Sequence, residues 1–181
     1  MAKVKVAMDW LDICSGCEMS LLDIDERIVE LIKLIELTSS PITDLKHPPK
    51  DGVDVGIISG AVSNTHQLAV AEEMRERAKI LISFGDCAVF GGICTMRNFF
   101  NTEDVLRHAY VETPSTDEYG AVPRSPELGK LFDRVRSLDE VVKVDVSLPG
   151  CPPPADAIWF VLTELLAGRM PVLTDLNLTY E

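Results

Sequence analysis

VVKVDVSLPGCPPPADAIWFVLTELLAG, residues 141–168, reads as a strand that breaks at Pro149 and Gly150, meets Cys151, and restarts as a helix. Pro152 to Pro154 suit a helix opening, because the N–H groups of a first turn have no helical partner to lose. Gly168 fits the C-terminal end. The same succession recurs upstream. KILISFGDC is an apolar strand that ends in Gly85 and meets Cys87. GVDVGIISGAV is a buried strand running into a glycine turn at Gly60, after which Asn64 or Thr65 can cap a helix through HQLAVAEEMRERAK, whose charges match a solvated outer face. At the N-terminus Val4 and Val6 alternate with Lys3 and Lys5, the run stays apolar to Trp10, and Cys14 and Cys17 follow directly.

Between these units the pattern is helical or irregular. From Ser20 the period changes: Leu21, Ile24, Ile28, Leu31, Ile32 and Ile35 fall on one helical face, and Ser20 with Asp23 resembles a capping box. NTEDVLRHAY predicts a short helix capped at Asn101 or Thr102, and a further helix is predicted from about Glu127 to Arg136. Residues 113–126, with three prolines, predict a long surface loop. Strands alternating with helices imply βαβ units, hence a flavodoxin-like, doubly wound α/β fold: a mostly parallel sheet with helices on both faces. With no linker or internal repeat, residues 1–181 are expected to form one domain.

Composition narrows the function. A net charge of −12 argues against nucleic acid and anionic membranes, which are held by clustered Lys and Arg. The most apolar stretch, Ala155 to Ala167, is too short to span a bilayer and contains Asp156 and Glu164; the N-terminus lacks the apolar core of a secretory signal. A cytoplasmic location is expected. Five cysteines in a chain of this size, in a reducing compartment, point to metal or redox chemistry rather than a disulfide framework.

Cys14 and Cys17, Cys87, and Cys151 each follow a predicted strand by a few residues. In an open parallel sheet the loops after the strands share one edge, so three segments far apart in sequence can meet there. Each carries glycine: Gly16, Gly85 with Gly91 and Gly92, and Gly150. Glycine lets backbone approach closely, and its N–H groups can hydrogen-bond the sulfides of a bulky anionic guest. A lone redox disulfide would leave Cys87 and Cys151 without a purpose, and four-cysteine zinc sites favour two short-spaced pairs in a small module. A cubane iron–sulfur cluster is the leading chemistry, with structural zinc as the alternative. Cys94 stands apart and reads as a small buried thiol.

CSGCE, SGAV, GDCAVFGG and PGCPPP, in that order, resemble the small subunits of nickel–iron hydrogenases over nearly the whole chain. The resemblance implies that Cys14, Cys17, Cys87 and Cys151 hold one 4Fe-4S cluster, proximal to a nickel–iron centre in a partner large subunit. Larger members continue into a region with two more clusters; the end at Glu181, with one spare cysteine and no twin-arginine leader, sets the expectation of the short cytoplasmic type. CEMSLLDIDERI is most similar to the soluble, bidirectional NAD-reducing hydrogenases. Many relatives carry acidic residues where this chain has Ile13 and Ser59. Glu18 is a candidate to stand in, against its plainer reading as an interface or first-turn helix charge. Quinone-coupled NADH dehydrogenase subunits share GDC and PGCPP-like segments but carry two adjacent cysteines in the first motif; membrane-bound energy-conserving hydrogenases are the nearest rival.

The expected function is electron relay, with no catalytic residue on this chain: electrons from the large-subunit nickel–iron site pass through one cluster toward an iron–sulfur and flavin diaphorase that reduces NAD. The rivals are a membrane-bound energy-conserving or quinone-oxidoreductase-like complex and, from another class, a zinc-stabilised α/β binding module. FMN on this chain is not expected, since no Ser/Thr-rich phosphate-cradling loop is present. Trp10 reads as core, interface or cluster shield, His66 and His108 as surface residues, and His47 carries no signal.

Overall fold

A computed structural model describes residues 3–174. The first strand, β1 (Val4–Trp10), leads through a cysteine-bearing loop to α1 (Gly16–Leu22), α2 (Arg27–Leu34) and β2 (Ile35–Ser39). There follow β3 (Val53–Ser59), β4 (Val62–Asn64), α3 (Thr65–Arg77), β5 (Ala78–Phe84) and α4 (Asp86–Phe90). A 3₁₀ segment (Gly92–Phe99), α5 (Thr102–Tyr110), β6 (Leu131–Arg136), β7 (Val146–Leu148) and α6 (Ala155–Leu166) complete the order. Five strands form one parallel sheet in the order β2-β1-β3-β5-β7. The chain leaves β1 for one edge and returns past it to β3, which makes β1/β3 the switch point of a flavodoxin-like sheet.

Side-chain alternation explains why both faces are covered. On one face Val6, Val55, Ile57, Ile82 and Phe84 pack against Ile24, Leu31, Ile158 and Val161 of the α1, α2 and α6 layer. On the other, Ala7, Ile58 and Leu81 meet Ala71 and Met74 of α3. Close approach there depends on Gly56, where a Cβ would lie 2.8 Å from Ala78 Cβ and 2.9 Å from Met74 Sδ. Asn64 caps α3 as expected, its side chain accepting from the N–H groups of His66 and Gln67, and Asn101 caps α5.

Three expectations are corrected. Ser20 with Asp23 does not open a helix: α1 begins at Gly16, and the chain turns at Asp25 (φ 56°) before α2 starts at Arg27. Ser20 is buried, its Oγ donating to Pro153 O at 2.5 Å, so a tertiary acceptor takes the hydroxyl that a cap would have used. The predicted helix from Glu127 to Arg136 is instead a turn followed by β6, antiparallel to β4 in a separate two-stranded sheet. The backbone of Val135 is clasped by the Asn98 amide, which donates to Val135 O (2.9 Å) and accepts from Val135 N–H (2.7 Å). Such distant partners outweigh the local helical period. The three prolines precede α6 rather than forming its first turn, with Pro154 at the N-cap.

Candidate metal centre

The strand register brings the cysteine loops to one rim. Trp10 pairs with Ser59, Ser59 with Phe84 and Phe84 with Leu148, so the carboxyl ends of β1, β3, β5 and β7 stand in a single row. Cys14 and Cys17 come just after the first of these ends, Cys87 just after the third and Cys151 just after the fourth. Backbone hydrogen bonds lace the loops together. Gly85 N–H donates to Leu148 O (2.8 Å), Asp86 N–H to Gly150 O (2.9 Å), and Gly150 N–H to Asp86 Oδ1 (2.7 Å). Leu11 N–H donates to Ser59 O (2.8 Å), and Asp12 and Ala61 exchange two bonds of 3.1 Å. The Ser20 bond to Pro153 then fixes α1 to the Cys151 loop.

The four thiols differ in exposure: Cys14 and Cys151 open to solvent, Cys17 is half-buried and Cys87 is buried. Burial pushes the Cys17 thiol up to about 12, and the charges of Glu18, Cys87, Cys14 and Cys151 add to the effect. Burial likewise raises Cys87, opposed by hydrogen bonds from the Cys94 thiol and the Ile93 N–H. A cationic metal core would oppose the upward shifts of Cys17 and Cys87 by neutralising their thiolates. Among the described residues no three His, Cys, Asp or Glu side chains stand close enough together to grip a single metal ion.

The glycines supply room. A Cβ on Gly85, whose φ is 81°, would lie 2.2 Å from Cys17 Sγ. One on Gly92 (φ 48°) would lie 2.9 Å from Cys87 Sγ, and one on Gly16 would lie 3.4 Å from Cys14 Sγ. Their donor role is narrower than the sequence suggested. The N–H groups of Gly85, Gly91 and Gly150 are spent on Leu148 O, Cys87 O and Asp86 Oδ1. These positions therefore contribute space and turn geometry.

Glu18 reaches across from the first turn of α1 to β3, where Ser59 Oγ donates to its Oε1. Its Oε2 is buried with no hydrogen-bond partner among the described residues. The carboxylate of Glu18 thus ties α1 to Ser59 at the end of β3. Trp10 is half-buried at the end of β1, and His66 and His108 are exposed on α3 and α5. His47, which carried no signal in the sequence, bonds through Nδ1 to Glu73 Oε2 of α3 at 2.9 Å. Cys94 is half-buried, and its Sγ donates to Asp12 O at 3.0 Å. No described helix is long and apolar enough to cross a membrane.

Known proteins share this fold. A chain in a structure of an NAD+-reducing [NiFe]-hydrogenase in the H2-reduced state superposes with a TM-score of 0.95 at 37% identity, covering 99% of this chain and 100% of that one. The delta subunit of the NAD-reducing hydrogenase HoxS of Cupriavidus necator is 42% identical over 170 residues, 92% of this chain and 80% of the relative. A subunit of the F420-non-reducing hydrogenase of Methanothermobacter thermautotrophicus is 38% identical over 178 residues, 97% of this chain, which spans 58% of that relative's length. Residues 14–165 match the family described as NADH ubiquinone oxidoreductase, 20 kDa subunit. The match runs from the first rim cysteine into α6 and so takes in all three cysteine loops; the chain belongs to this family, among the small subunits of nickel–iron hydrogenases.

Proposed function

We propose that this chain is the electron-relaying small subunit of a cytoplasmic NAD-reducing nickel–iron hydrogenase, in which Cys14, Cys17, Cys87 and Cys151 hold one 4Fe-4S cluster. The observation that carries the reading is the single row of strand ends that delivers four thiols from three loops to one rim. The cluster would supply one-electron transfer between a nickel–iron site in a large subunit and a diaphorase. The chain's own residues set the frame. Cys87, buried at the head of α4, and Cys17, against the backbone of Gly85, form the protein-facing side. Exposed Cys14 and Cys151 form the side toward a partner. Gly16, Gly85 and Gly150 line the site with backbone rather than side chain, and Glu18, bonded to Ser59, pins the α1 turn that carries Cys17.

Met19 and Leu22 of α1, the helix that follows Cys14, are exposed; Phe90, Ile93, Met96, Phe99 and Phe100, in the segment that follows Cys87, are exposed as well. Such apolar exposure beyond the rim suits burial under a large subunit. Anaerobic affinity purification tests the assembly: a large hydrogenase subunit and flavin-containing diaphorase chains are expected to co-purify. Integral membrane subunits would support the energy-conserving rival. Within the assembled enzyme, Cys151→Ala is expected to abolish NAD-linked hydrogen oxidation. A Cys151→Ala enzyme with a full cluster and normal NAD-linked activity would contradict the ligand assignment.

A further inference from the structure

Cys151 stands in the loop that joins β7 to α6. The residue before it, Gly150, has a φ of 137°, and a Cβ there would lie 2.4 Å from Pro153 Cα, so no side chain at this position can anchor the turn. Its backbone does so instead. Gly150 N–H donates to Asp86 Oδ1 (2.7 Å), and Gly150 O accepts from Asp86 N–H (2.9 Å). Both polar groups of the glycine are held by one residue 64 positions away, the residue immediately before Cys87. On the other side of Cys151, Pro153 O accepts from Ser20 Oγ, 133 positions away on the helix that carries Cys17. Cys151 is therefore gripped on both flanks, once from the Cys87 loop and once from α1.

We infer that Asp86 and Ser20 are positioning residues that clamp the Cys151 loop and fix the corner of the cluster that Cys151 ligates. The inference rests on the cluster reading above. Cys151 is exposed, so packing around the thiol does not hold its sulfur in place. The bonds to its two neighbours supply that restraint, and the one to the Asp86 carboxylate is of the stronger, charge-assisted kind. With the clamp released, the loop moves off and the iron at that corner is the first to leave. The chemistry balances without a further reactant once an oxidant is supplied: a 4Fe-4S core at +2 gives one electron to ferricyanide, and the +3 core separates into a 3Fe-4S core at +1 and one Fe2+.

The test treats the full chain, purified anaerobically, with a fixed dose of ferricyanide, and follows the paramagnetic 3Fe-4S form by electron paramagnetic resonance alongside the iron released. Asp86→Ala and Ser20→Ala are expected to convert about tenfold faster than the parent protein, the order set by losing one well-placed hydrogen bond. Asp86→Asn keeps an oxygen that can accept from Gly150 N–H and is expected to recover most of the difference. Asp145→Asn weakens the Arg75 ion pair at the other end of β7, controls for general loosening, and is expected to convert at the parent rate. Parent-like conversion in both alanine variants overturns the inference and leaves the cluster reading standing. Equal acceleration in Asp145→Asn, or an Asp86→Asn protein as fast as Asp86→Ala, also overturns it. Should Asp86→Ala fail to fold, Ser20→Ala against Asp145→Asn decides. A parent protein without iron and sulfide overturns the cluster reading and this inference together.

Discussion

Gly85 shows how little a single position at the rim can change. Its φ of 81° is one that side chains rarely adopt, and a Cβ would come within 2.2 Å of Cys17 Sγ. Gly85→Ala is expected to cost about 1–3 kcal/mol in backbone strain and to displace Cys17, lowering iron content per chain more than stability alone would explain. Metal analysis alongside thermal unfolding checks this; an alanine variant with full iron would show that the close approach is dispensable. At this scale the sequence was informative about the thiols, because cysteine after a strand and beside glycine is a local pattern. It was silent about Ser59 meeting Glu18, His47 meeting Glu73, and Cys94 meeting Asp12. Each of these joins residues at least 26 positions apart, and no spacing rule encodes such pairs.

Elements succeed or fail by the same distinction. The long strands β1, β3 and β5, and the capped helices α3 and α5, follow from period and capping residues that lie within the element. β4 and β6 do not. β6 exists because Asn98 and β4 offer hydrogen-bonding partners, and α1 starts early because the chain leaves Ser15 in a left-handed turn (φ 68°). The link from β5 to β7 carries a measurable pH signature. Asp145 is partly buried, which alone would raise its pKa, but the Leu81 N–H (2.9 Å) and the Arg75 guanidinium (2.6 Å) outweigh burial and hold the carboxyl below its ordinary value. A depressed carboxylate stabilises the fold above its unfolded-state pKa and loses that contribution as pH falls through the folded-state value. Asp145→Asn is therefore expected to lose stability at pH 7 and to converge on the parent protein in strong acid. Denaturant unfolding at both pH values decides it; an equal deficit at both would mean that the charge plays no part.

Across the whole molecule, the parallel sheet is what brings the dispersed cysteine loops to one rim. Because β1, β3, β5 and β7 all point the same way, their following loops have no other edge to occupy. This much was legible from strand–helix alternation alone. The opposite rim shows the contrast: Lys5 with Asp51 and Lys79 with Asp54 are paired surface charges with no cysteine near them in sequence. The most direct measurement is iron, acid-labile sulfide and zinc in the chain purified anaerobically. About four iron and about four sulfide per chain are expected, as a single cubane requires. Stoichiometric zinc without sulfide would contradict the electron-relay account.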